Sequence, residues 1–169
     1  MTSVVRTFLI CGGIMFDYYR ISFIGHREIY GCNWENRLAE IITEAIRIHD
    51  VVEFYIGRNG DFDIMAASVI KRLQPNFDKH KSSLNLVLPY RVKDIEYYEK
   101  YYDDIIFPLD TNTHPKSAIT KRNQWMIDNS DLLVAYVDPK RKGGALTALE
   151  YAQKQGLKII NLAIKSEEE

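Results

Sequence analysis

Apolar residues along this chain fall into short, mostly apolar runs, of which 132–137 is unbroken, separated by longer stretches in which they recur every three or four positions. The runs at 21–24, 54–56, 84–88, 132–137 and 156–162 are too short for helices and read as strands, buried on both faces of a parallel sheet. Between the first two, Trp34, Leu38, Ile41, Ile42, Ala45 and Ile48 define a helical stripe, and Phe62, Met65, Ala66, Val69, Ile70 and Leu73 define a second that Pro75 ends. Pro89 stops the third strand. Tyr97, Tyr98, Tyr101 and Tyr102 sit one turn apart on a short helix, where such rings cover a sheet edge or stack on bases. After the polar loop 110–116, Ser117 caps a helix with Ile119, Met126 and Ile127 on one face, and Gly143-Gly144 opens the last helix. Strands and helices alternate throughout. The predicted architecture is therefore α/β: a single-domain, Rossmann-like three-layer sandwich with a mostly parallel central sheet of about five strands.

A chain of 169 residues, 46% apolar and 12% aromatic, can bury a sizeable core without disulfides or metals. Cys11 and Cys32 lack CxxC or zinc spacing and the four histidines form no HExxH, so free thiols in a reducing cytoplasm and no metal are expected. Residues 4–16 are apolar but Arg6 interrupts them, no small-residue cleavage site follows, and a membrane span needs about 20 apolar residues. They read as part of an N-terminal extension, 1–19, with Met15 as an alternative first residue, or as an additional strand. The domain proper spans 20–164 and a solvated tail 165–169. With a formal charge of −1 and a pI near 6.4, no large nucleic-acid footprint is expected, although a local basic patch survives the average.

The candidate chemistry lies where strands end. Gly25-His26-Arg27 follows the first strand and offers two cationic side chains to a phosphate. The turn 57–63, with Gly57, Asn59, Gly60, Asp61 and Asp63, follows the second; one aspartate caps the helix, and the other is free for a ligand hydroxyl. Arg122 and Asn123 share a face with Ile119 and would be costly in a core without partners, so they bond neighbouring loops or hold an anion. Gly143 and Gly144 bring backbone N–H groups to a helix start, where an anion or a ribose edge fits, and Thr147 and Glu150 lie on the first two turns.

Four stretches, 23–27, 57–63, 121–126 running into Ser130-Asp131, and 143–150, together resemble the SLOG superfamily, the Rossmann-like group containing the Lonely Guy phosphoribohydrolases and the DNA-processing protein A family. The chain looks most like the small bacterial and prophage members of that group. Arg122 and Glu150 fall where the Lonely Guy enzymes carry an arginine and the glutamate of Pro-Gly-Gly-x-Gly-Thr-x-x-Glu, which implies a nucleotide ligand and those two as catalytic residues of an N-glycoside hydrolase. Lys142 and Leu146 depart from that pattern at its proline and third glycine. The segment 147–152 is also similar to the glutamate segment of nucleoside deoxyribosyltransferases. The resemblance implies a homodimer without a cofactor, acting as a hydrolase or as a sensor without turnover. The Arg122-Asn123 pair and Gly144 to Ala148 are equally similar to the DNA-processing families, which makes nucleic acid the rival partner, met by Arg58, Lys121, Arg122, Lys140, Arg141 and Lys142.

Overall fold

The strand expected at 21–24 is longer than its apolar run: β2 spans Ile14–Gly25, because backbone pairing with neighbouring strands carries it back through Phe16 and Tyr18, although these are only half-buried. The computed structural model describes residues 7–11, 13–31 and 33–164. Its other strands are β1 (Thr7–Cys11), β3 (Val51–Ile56), β4 (Ser82–Val87), β5 (Asp104–Ile106), β6 (Leu132–Tyr136) and β7 (Lys158–Asn161). Six of them are parallel in the order β5-β4-β3-β2-β6-β7. β1 is an additional strand, antiparallel to the first half of β2. Tyr18 pairs with Thr7 on one side and Val51 on the other, so β1 continues the row occupied by β6. The domain boundary expected at residue 20 falls inside β2, and 165–169 lie outside the described residues.

Two helices pack on one face. α1 (Trp34–Ile48) and α2 (Asp61–Leu73) bury Leu38, Ile42, Ile46, Phe62, Ala66 and Ile70 against Ile21, Phe23, Phe54 and Ile56. Each fully buried Leu, Ile or Phe among them contributes roughly 1.5–3 kcal/mol. The sheet-facing ridge of α1 runs Leu38, Ile42, Ile46. The expected stripe had Ile48 in place of Ile46, but Ile48 lies about 200° around the helix from it and is 65% exposed. Met65 likewise lies on the open flank of α2.

The opposite face carries α4 (Pro115–Asp128) and α5 (Gly144–Lys154), where Ile127, Ala148, Leu149 and Ala152 meet Ile24, Leu133 and Ala135. The cap of α4 is His114, not Ser117. The His114 ring accepts the Lys116 N–H and Pro115 takes the first helical position, whose missing N–H costs nothing there. α3 (Ile95–Glu99) holds only Tyr97 and Tyr98; Tyr102 packs against the first core and Tyr97 stays exposed. Among the described residues no helix is long and apolar enough to cross a membrane.

From β2 the chain steps through α1, β3, α2 and β4 toward one edge, whereas β6, α5 and β7 lie on the other side of β2. The winding therefore reverses between β2 and β6. Open α/β sheets hold ligands in the crevice outside the strand ends at such a point.

Candidate functional site

That crevice is a cavity of about 470 Å³, within the range of small-molecule sites. The expected residues Gly25, His26, Arg27, Gly57, Asn59, Asp63, Arg122, Asn123, Gly143 and Gly144 line it, joined by Phe23, Ile24, Ile119, Met126, Arg141, Lys142 and Ala145. Gly60, Asp61, Thr147 and Glu150 are not part of the lining. The three loops that follow β2, β3 and β6 thus open at one end of the sheet. Their convergence follows from the parallel pairing, which puts all three C-terminal strand ends on the same side.

The glycines divide by what surrounds them. A side chain at Gly25 would strike Phe62, one at Gly60 the backbone of Arg27, and one at Gly57 the Arg122 guanidinium and Asp63 Oδ2. These three serve the protein's own packing: Gly60 lets the turn approach so closely that Asp61 N–H donates to the Arg27 carbonyl at 2.7 Å. Gly143 and Gly144 have open space around their missing side chains. Gly143 also sits at φ 146°, a conformation essentially confined to glycine, and α5 has no side-chain cap. Its first N–H groups have no side-chain cap and carry the partial positive charge of a helix start.

His26 is not the cationic contact expected. It is buried, and its Nε2 accepts the Asp138 N–H at 2.9 Å, which only a ring nitrogen without a proton can do. Burial first, and then nearby Arg141, hold its pKa below the usual value. Its role is to tie the β2 loop to the β6 loop. The mouth is cationic through Arg27, Arg141 and Lys142, with Arg141 also donating to the Glu28 carbonyl at 3.0 Å and lying over the Tyr30 ring.

Asp61 and Asp63 both lie in the first turn of α2, with different fates. Asp61 is exposed. Asp63 is buried and accepts the Asn59 N–H at 2.9 Å through Oδ2, which closes the turn 59–63. Burial pushes its pKa up to about 6, against the pull of Arg122 and the Asn59 N–H. Arg122 is 3% exposed. Its Nη1 donates to the Val87 carbonyl at 2.8 Å, at the end of β4, and its Nε is buried with no partner. Asn123, on the next position of α4, is half-buried.

Glu150 is exposed, on the side of α5 away from the sheet. Ala148, Leu149 and Ala152 mark the packed face, and position 150 lies well over 90° around from its centre. Arg58, the other turn cation, reaches away from the cavity lining to Tyr98, whose hydroxyl it meets and whose ring its guanidinium covers at 4.6 Å.

No family model and no curated protein matches the chain. Among solved structures it is similar to DNA-processing protein A from Streptococcus pneumoniae, at 12% identity and TM-score 0.59, over 84% of this chain and 49% of that one. It is also similar to DNA-processing protein A from Helicobacter pylori, a structure described for its single-stranded DNA binding mode, at 16% identity and TM-score 0.58, over 83% of this chain and 63% of that one. The chain thus spans 49% and 63% of the length of these neighbours, and what it shares with them is the Rossmann-like fold.

Proposed function

We propose that this protein binds a nucleotide, or a small molecule derived from one, in the cavity between β2 and β6, with the phosphate at the start of α5. The observation that carries this reading is a built polar site at the switch point: a buried Arg122 whose Nη2 has no hydrogen bond among the described residues shares one cavity with the open Gly143-Gly144 helix start. Of the guanidinium's terminal nitrogens only Nη1 is bonded among the described residues, which leaves Nη2 to donate to a ligand acceptor. Arg27, Arg141 and Lys142 supply the charge that draws an anion to the mouth. The reading accords with the SLOG resemblance, and a sensor without turnover is the form it takes here, because the glutamate that hydrolysis would use stands outside the cavity.

The test is to denature freshly purified protein, identify any released nucleotide by mass spectrometry, and titrate apo protein with nucleoside mono-, di- and triphosphates by calorimetry. Failure of every member of the panel to bind sinks the proposal. A second reading, single-stranded DNA across the same mouth, is favoured by exposed Lys121, Lys140 and Lys142 and by what is described for the Helicobacter pylori neighbour. Oligonucleotide affinity that falls steeply with salt, and that mononucleotides do not displace, would select it.

A further inference from the structure

Resting on the nucleotide reading, the pair Asp63 and Arg122 bears on which part of the ligand lies beside Gly57. Asp63 and Arg122 come from different helices, α2 and α4, and converge on Gly57: a side chain there would strike the Arg122 guanidinium and lie 2.8 Å from Asp63 Oδ2. Both are more than nine-tenths buried and both line the cavity. Yet they do not pair. No ion pair links them, Asp63 Oδ2 is taken by the Asn59 N–H and Arg122 Nη1 by the Val87 carbonyl. What remains is one carboxyl oxygen, Asp63 Oδ1, and one terminal guanidinium nitrogen, Arg122 Nη2, neither with a hydrogen bond among the described residues and neither fully occluded; Nη2 and the Asp63 carboxylate lie within about 3 Å of the same point at Gly57.

A buried carboxylate and a buried guanidinium normally close on each other, since each is costly to desolvate alone. Here they are held apart by their other bonds and present an acceptor and a donor to the same space. A phosphate is poorly suited to that place, because its charge would meet the Asp63 carboxylate, whereas the cations Arg27, Arg141 and Lys142 and the helix start at Gly143-Gly144 line the same cavity and suit it better. A hydroxyl fits, since it donates to Oδ1 while accepting from Nη2.

We infer that Asp63 and Arg122 together recognise a ribose hydroxyl of the bound nucleotide, so that the site takes ribonucleotides and rejects the deoxy form lacking that group. Gly57 keeps the space between the two side chains free. Rejection is steep at such a site because the deoxy ligand leaves two buried polar groups unpaired, which binding sites built around a hydroxyl punish far more than a lost apolar contact.

The experiment is calorimetric titration of the purified protein with ribonucleoside 5′-monophosphates, their 2′-deoxy and 3′-deoxy forms, and ribose 5-phosphate. The expected result is at least a tenfold loss of affinity for one of the two deoxy series, with ribose 5-phosphate retaining measurable binding. Asp63→Asn keeps an oxygen for the Asn59 N–H but turns a donor toward the ligand, so the discrimination ratio should shrink to about threefold or less; being a ratio within one protein, it is insensitive to a general loss of stability. Equal affinity for ribo and both deoxy forms in wild type overturns the inference while leaving nucleotide binding intact. Absence of binding across the whole panel overturns both. The wild-type comparison decides the matter even if the variant does not fold.

Discussion

Asp63 makes the stability of this protein depend on pH, and Asp63→Asn isolates that dependence. Burial raises the folded-state pKa from 3.8 to about 6, a difference of about 2 units, each worth about 1.4 kcal/mol. A raised carboxyl pKa means that the folded chain holds the proton more tightly than the unfolded chain. The contribution of Asp63 is therefore most favourable below about pH 4 and is lost as pH rises through about 6, by roughly 3 kcal/mol in all. For a chain of this size that corresponds to roughly 6–12 °C in melting temperature. Urea unfolding of wild type and Asp63→Asn from pH 4 to 8, in buffers free of phosphate and nucleotide, gives the difference curve in which other titrating groups cancel. The variant should gain on wild type by about that amount between pH 4 and 7 and no further above it. A flat curve would refute the picture of a desolvated carboxyl facing Arg122 across a gap. A curve of opposite sign would show instead that the two close into an ion pair, with the carboxyl held low rather than high.

Four other substitutions read separate parts of the site. Gly144→Ala adds a methyl to open space at a helix start, so melting temperature should hold within about 2 °C while nucleotide affinity falls tenfold or more; unchanged affinity would move the phosphate elsewhere. Gly57→Ala forces Arg122 and Asp63 aside and should cost about 1–3 kcal/mol in chemical denaturation together with ligand binding, and a protein of wild-type stability would show that the two side chains yield freely. Arg122→Lys loses the guanidinium fork that satisfies the Val87 carbonyl, so both affinity and melting temperature should drop, and loss of affinity alone would mark Arg122 as a ligand contact without a structural duty. Glu150→Gln should leave calorimetric affinity within twofold of wild type, whereas a tenfold change would bring that carboxylate into the site.

The alternation of short apolar runs with helical stripes was enough to read the Rossmann-like class, because a strand covered on both faces is apolar at most positions and a surface helix is not. The convergence of the loops after β2, β3 and β6 was legible for the same reason, parallel strands ending on one side. Legible too, in retrospect, was the outward direction of Glu150, since Ala148, Leu149 and Ala152 already mark the packed face of α5. β5 was not legible: Asp104-Ile105-Ile106 is three residues long and begins with an acid, so it exists only because β4 offers an edge. The tertiary structure alone decided what the glycines are for, assigning Gly25, Gly57 and Gly60 to close contacts with residues of the chain itself and Gly143 and Gly144 to open space. It also decided that His26 is a neutral tie between loops, and that Asp63 and Arg122, 59 positions apart in the chain, face one another without pairing. Such facts depend on distances between residues remote in sequence. Local pattern fixes which face of a helix is buried, but only packing sets what a polar group on that face will meet.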